Sequence, residues 1–175
     1  VRVRMGGVGD VEPTVFYGFN AVSLGTVSLF AVSTSDAIPP LKERRDPALL
    51  EILREKMNAF DGYALKGYLG LKTRQKFEKD DPVFEAFPEI RGALTWDENG
   101  DYILCTEHPL VQRYYRETVE GLFREIPGLD GIHVIIGGEA FYHCYMHPYS
   151  AEPGETTCPR CAEVGANQTV AHLCN

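Results

Sequence analysis

The chain has 175 residues, 44% hydrophobic and 11% aromatic, with 25 acidic against 17 basic side chains and a formal net charge of −8. That aromatic content excludes a disordered chain, and the acidic balance excludes a nucleic-acid binder, which neutralises phosphates with Lys and Arg. The length allows a domain with a real core but falls short of the roughly 250 residues of a (β/α)₈ barrel.

Residues 1–16 read as a partial or non-native N-terminal segment, with Val1 first and Met5 the earliest methionine. Thr14 to Ser33 carries no charge, yet Gly, Ser, Thr and Asn interrupt it too often for a spanning helix or a leader core. It reads as a buried strand plus loop, and no membrane partner is expected. Phe19 to Leu24 is the strand, and a loop runs to Pro40. Asp46 then caps a helix with Pro47 at its first position, and Leu49, Leu50, Leu53, Met57 and Phe60 repeat at helical spacing up to Asp61-Gly62.

Tyr63 to Leu71 is the second predicted strand, followed by the polar stretch Lys72 to His108 with its Asn99-Gly100 turn signal. Pro109 opens a second helix, with Val111, Tyr115, Val119, Leu122 and Ile126 on one side, and Pro127-Gly128 stops it. Ile132 to Ile136 is the third strand. A last helix is expected from Asn167, as N-cap, and breaks off after about two turns, as though truncated. Alternation of strand and helix predicts an α/β fold with a buried parallel sheet. The long segments all follow strands, which places ligands and chemistry at the carboxyl ends of the sheet.

Two constellations could carry chemistry. Glu139, after Gly137-Gly138 at the end of the third strand and beside Phe141 and Tyr142, suits a general acid whose proton is held by an apolar setting. Cys144-x₂-His147 and Cys158-x₂-Cys161 have the paired spacing of a structural zinc site, predicting a zinc-pinned loop over 143–161 with Cys144, His147, Cys158 and Cys161 as ligands and His143 as a substitute. On this reading Cys105 and Cys174 are core thiols. Five unevenly spread cysteines do not make a disulfide scaffold, and a cytoplasmic location is expected. A rival reading takes Glu139, His143 and His147, spaced four apart, as a catalytic zinc site, which requires them to align on a helix.

Tyr63-Ala-Leu-Lys-Gly-Tyr-Leu-Gly-Leu-Lys-Thr73, Cys105-Thr-Glu-His-Pro-Leu-Val-Gln-Arg-Tyr114 and Pro127-Gly-Leu-Asp-Gly-Ile-His-Val-Ile-Ile-Gly-Gly-Glu139 together resemble (β/α)₈-barrel glycoside hydrolases of the β-N-acetylhexosaminidase type and their α-glucuronidase-like relatives. The resemblance covers roughly residues 17 to 175. It implies a partial TIM-type barrel, with the three strands as barrel strands two to four, Glu139 as general acid and the rest of the barrel supplied by further chain. It also implies hydrolysis of O-glycosidic bonds in a full-length parent and an inactive isolated fragment. Gly138 stands where hexosaminidases place the Asp that orients the acetamido group, so substrate-assisted chemistry is not carried over. A carbohydrate substrate would be held by Trp96, Tyr102, His108, Phe141, Tyr142 and His143; no organic cofactor is expected. The alternative class is a non-catalytic carbohydrate-binding barrel in which Glu139 only accepts a hydrogen bond.

Overall fold

The computed structural model describes residues 3–4, 11–72, 76–134, 136 and 143–174. In chain order its elements are β1 (Val3–Arg4), α1 (Val11–Phe16), β2 (Ala21–Val27), α2 (Pro39–Lys42), α3 (Pro47–Asp61), β3 (Lys66–Leu71), α4 (Pro82–Ala86), β4 (Arg91–Leu94), β5 (Tyr102–Leu104), α5 (Pro109–Glu125), β6 (Leu129–His133), α6 (Pro159–Val164) and α7 (Ala166–Cys174). The chain divides into two compact units. The first comprises Val1–Thr34, Arg44–Lys72 and Thr118–Val134, and the second Ser35–Glu43, Thr73–Glu117 and Ile135–Asn175. Each segment of the second unit follows one of the strands β2, β3 and β6 in the chain.

The first unit is the expected α/β structure. Its sheet has the order β1-β2-β3-β6, with every neighbouring pair parallel. Strand β1 and helix α1 fall within residues 1–16, read from the sequence as a partial or non-native N-terminal segment; Val3 pairs with Ala21 and Arg4 with Val22. Helix α3 begins as predicted. Asp46 accepts a hydrogen bond from the Leu49 amide at 3.1 Å, and Pro47 needs no amide partner at the first helical position. Leu50, Leu53, Met57 and Phe60 form its buried stripe. Gly67 lets this helix lie close on β3, because a Cβ there would stand 2.1 Å from the Met57 sulfur. At the far end of α5, Arg45 donates to Glu125 Oε1 at 2.9 Å and Arg54 Nε donates to the Glu125 carbonyl at 2.6 Å.

The strand boundaries differ from those read off the sequence. Tyr63 and Ala64 belong to the turn after α3, with Ala64 in the left-handed region at φ 52°, so β3 starts only at Lys66. The third predicted strand moves toward the N-terminus, to Leu129–His133, because Gly131 faces Tyr68 and pairing with β3 ends at Gly70 opposite His133. Hydrophobic runs locate such strands, but the register with a neighbour decides where they end.

The second unit contains what the sequence showed only as a polar stretch. Strands β4 and β5 form an antiparallel hairpin through the predicted Asn99-Gly100 turn, where a Cβ on Gly100 would lie 1.7 Å from the Thr95 carbonyl oxygen. Phe77 pairs with Tyr102 beside it, and Thr95 forms a bridge to Pro148. Phe77, Phe84, Ile90 and Ile103 are buried in this unit. Asn167 lies inside α7 rather than capping it, since the helix starts at Ala166 directly after Gly165. Among the described residues no helix is long and apolar enough to cross a membrane.

Candidate metal centre

Four cysteines converge in the second unit. The sulfurs of Cys105, Cys144, Cys158 and Cys161 all lie within 4.8 Å of one another, and all four residues are buried. Cys158 is the N-cap of α6 with Pro159 behind it, and one helical turn brings Cys161 back to the same side. Cys105 comes immediately after β5, and Cys144 from the segment that follows β6. The Cys158 sulfur is 3.5 Å from that of Cys105, which is 3.8 Å from that of Cys161. A disulfide needs about 2.05 Å. These are free thiols packed around a common centre, and they can hold a metal ion.

The surroundings are built for sulfur. Ala93 and Ile103 pack against the four cysteines, and Tyr145 covers them from the side, its hydroxyl donating to the Cys161 carbonyl at 2.9 Å. Thr156 Oγ1 donates to the Cys144 carbonyl at 2.6 Å and accepts from the Cys158 amide at 3.2 Å, so one hydroxyl ties two ligand residues together. Hydrogen bonds shared among the sulfurs, with Cys105 the largest contributor, hold the Cys158 thiol well below its ordinary range and push Cys144 and Cys161 above it. Four adjacent thiolates repel one another in a buried site, so full deprotonation needs a cation, and binding one releases protons.

Gly92 supplies the room. A Cβ there would lie 2.7 Å from the Cys144 sulfur and 2.8 Å from the Ile103 carbonyl oxygen. Gly92→Ala is therefore expected to displace Cys144, weaken metal retention against a chelator and destabilise the fold by about 1–3 kcal/mol, the usual range for overpacking. Competition with a colorimetric chelator, alongside a urea melt, measures both; wild-type retention and stability would remove this role.

Of the ligands expected from spacing, the structure brings Cys144, Cys158 and Cys161 together; the fourth sulfur in the group is that of Cys105, and His147 is not part of it. The backbone at His147 is left-handed, at φ 48°, and its ring stacks on Trp96 with centroids 4.2 Å apart. His143, the proposed substitute, is buried with Nδ1 accepting from the Tyr145 amide at 3.3 Å, and its Nε2 faces the Ile136 carbonyl. No helix runs over residues 143–150, so His143 and His147 do not share a helical face there; Glu139, the third member of the rival zinc site, lies outside the described residues. Cys105 carried no short-range signal, because its partners lie far along the chain. The only clue was negative: Cys144 has no second cysteine close by.

The other predicted site residues are placed as follows. Trp96 is 56% exposed and left-handed, at φ 68°. Tyr102 is not on a loop but in β5, where the Arg91 guanidinium lies 4.9 Å from its ring and Phe84 meets it edge-on. His108 Nδ1 accepts from the Leu110 amide at 3.2 Å, which satisfies a donor in the first turn of α5, and burial pushes its pKa down. Glu139, Phe141 and Tyr142 lie outside the described residues. No protein-family model matches the chain, and no curated protein matches it.

Proposed function

We propose that the four thiols hold one zinc ion as a structural centre, in a domain that belongs to a (β/α)₈ glycoside hydrolase-like barrel with Glu139 as general acid. The zinc reading is carried by the spacing of the sulfurs. Zinc–thiolate bonds of about 2.3 Å in tetrahedral array separate sulfurs by roughly 3.8 Å; here Cys105 lies 3.5 Å from Cys158 and 3.8 Å from Cys161, and all four sulfurs are within 4.8 Å of one another. An iron–sulfur cluster spreads its cysteines over several irons and suits such close packing less well. Zinc supplies no chemistry in this position: with four protein ligands it has no open site for water, and its effect is to close the segment between Cys144 and Cys158. A reducing, cytoplasmic setting suits thiols kept free for a metal.

The hydrolase reading is supported by strand order. The parallel strands run across the sheet in chain order, as in a barrel, and the long segments follow their carboxyl ends, where barrel enzymes place their chemistry. Further strands of the same domain would complete the sheet edges at β1 and β6. Glu139 follows β6 and would protonate the glycosidic oxygen of a carbohydrate substrate. Its partner carboxylate would lie about 5–5.5 Å away for retention or about 6.5–9.5 Å away for inversion.

The zinc reading is tested by metal analysis of protein purified without added metal. One equivalent of zinc per chain is expected, lost on treatment with a mercurial thiol reagent. Metal-free protein that folds identically would overturn it. The hydrolase reading is tested separately, by turnover of aryl glycosides by the complete protein.

A further inference from the structure

We propose that the cysteine centre organises a binding cleft for a neutral saccharide around Trp96; the ligand class rests on the glycoside hydrolase reading. A cavity of about 450 Å³ lies in the same unit, and Tyr145, which packs against the cysteines, is part of its lining. Apart from Trp96, every described residue that lines it falls between Cys144 and Cys158, the stretch whose two ends belong to the cysteine cluster. The cleft and the metal centre thus share one loop.

That loop has no helix from Tyr145 to Thr157. It is pinned to the β4 edge by the Trp96 amide donating to the His147 carbonyl at 2.8 Å and the Tyr149 amide donating to the Leu94 carbonyl at 2.7 Å. Trp96, His147 and Ser150 all sit in the left-handed region, at φ 68°, 48° and 59°. Such non-glycine conformations are strained and persist only where the surroundings impose them. The surroundings here are the backbone bonds to Leu94 and Trp96, the Thr95–Pro148 bridge, the Tyr145 and Thr156 hydroxyl bonds and the two cysteine ends. Releasing the ends lets the loop relax, and the Trp96–His147 stack is lost with it.

The lining selects the ligand. The exposed indole, backed by the parallel His147 ring at an interplanar angle of 12°, is a flat apolar platform of the kind that packs the C–H face of a pyranose. Glu152 offers a carboxylate to hydroxyl donors, and among the described residues no Lys or Arg lines the cavity, which suits an uncharged ligand better than a phosphate or an acidic sugar.

Trp96 is the chain's single tryptophan, so its fluorescence reads the site directly. Titrating the zinc-loaded full chain with cellobiose, xylobiose and N,N′-diacetylchitobiose is expected to give a saturable change with at least one of them. Calorimetry with that sugar should show at least tenfold weaker binding for Trp96→Ala, and weaker binding for Glu152→Gln. Removing the metal with a chelator should weaken it at least tenfold, and adding zinc back should restore it. Circular dichroism checks that the variants and the metal-free chain remain folded. No response to any of the three sugars, or binding unchanged by Trp96→Ala or by metal removal, would overturn the proposal. Metal-dependent binding without turnover in the complete protein would leave the cleft standing and remove the hydrolase reading. Turnover that needs Glu139 but ignores Trp96→Ala and metal removal would do the reverse.

Discussion

Cys105→Ser is expected to strip the chain of its metal and to unfold the second unit at temperatures the wild type withstands. A hydroxyl is a poor ligand for zinc beside three thiolates, so affinity should fall by several orders of magnitude. A site held at a thousand times its Kd contributes about 4 kcal/mol of stability, and a thousandfold loss of affinity removes nearly all of it. Packing sharpens the effect, because Cys105 is also buried against Ala93 and Ile103. Two controls separate ligation from general damage. Cys174→Ser changes an exposed cysteine and should keep both the metal and the melting temperature. His147→Ala should also keep the metal, since that ring is committed to Trp96 and not to the sulfurs. Atomic emission and thermal melts on the three variants decide the matter. Zinc retained by Cys105→Ser and lost by His147→Ala would restore the ligand set expected from spacing alone.

Glu139→Gln in the complete protein is expected to lower turnover of aryl glycosides by about 10²–10⁴, the usual worth of a positioned proton donor. The loss should be greatest for poor leaving groups, which need the proton, and small for activated ones such as dinitrophenolate. The pH profile carries a second signature. A general acid works while protonated, so activity is present below its pKa and is lost as pH rises through it; that alkaline limb should vanish in the variant. Unchanged turnover, or an alkaline limb that survives the substitution, would exclude Glu139 as the acid.

Local features translated well from the sequence. The Asp46 cap, Pro47 and the apolar stripe through Phe60 define α3 within one continuous stretch, and the structure keeps it there. Cys158 and Cys161 belong to the same class of signal, since a single helical turn sets their separation. The hairpin turn at Asn99-Gly100 is another, because its geometry is decided by neighbouring backbone atoms. The polar stretch from Lys72 to His108 was harder. Its strands are three and four residues long, too short for alternation to rise above noise, and they exist because they pair with each other and with Phe77 and Pro148.

Composition, charge, the alternation of helix and strand, and the paired cysteine spacing are properties of the sequence by itself, because each arises from residues within a turn or two of one another. Tertiary structure alone decided that Cys105 completes the centre and that His147 turns to Trp96. Both outcomes depend on the β4–β5 hairpin meeting the Cys144–Cys161 segment, a contact between stretches distant in the chain. Spacing along a sequence can restrict which side chains share a helical turn, but only the folded path determines which distant side chain joins them in a buried cluster.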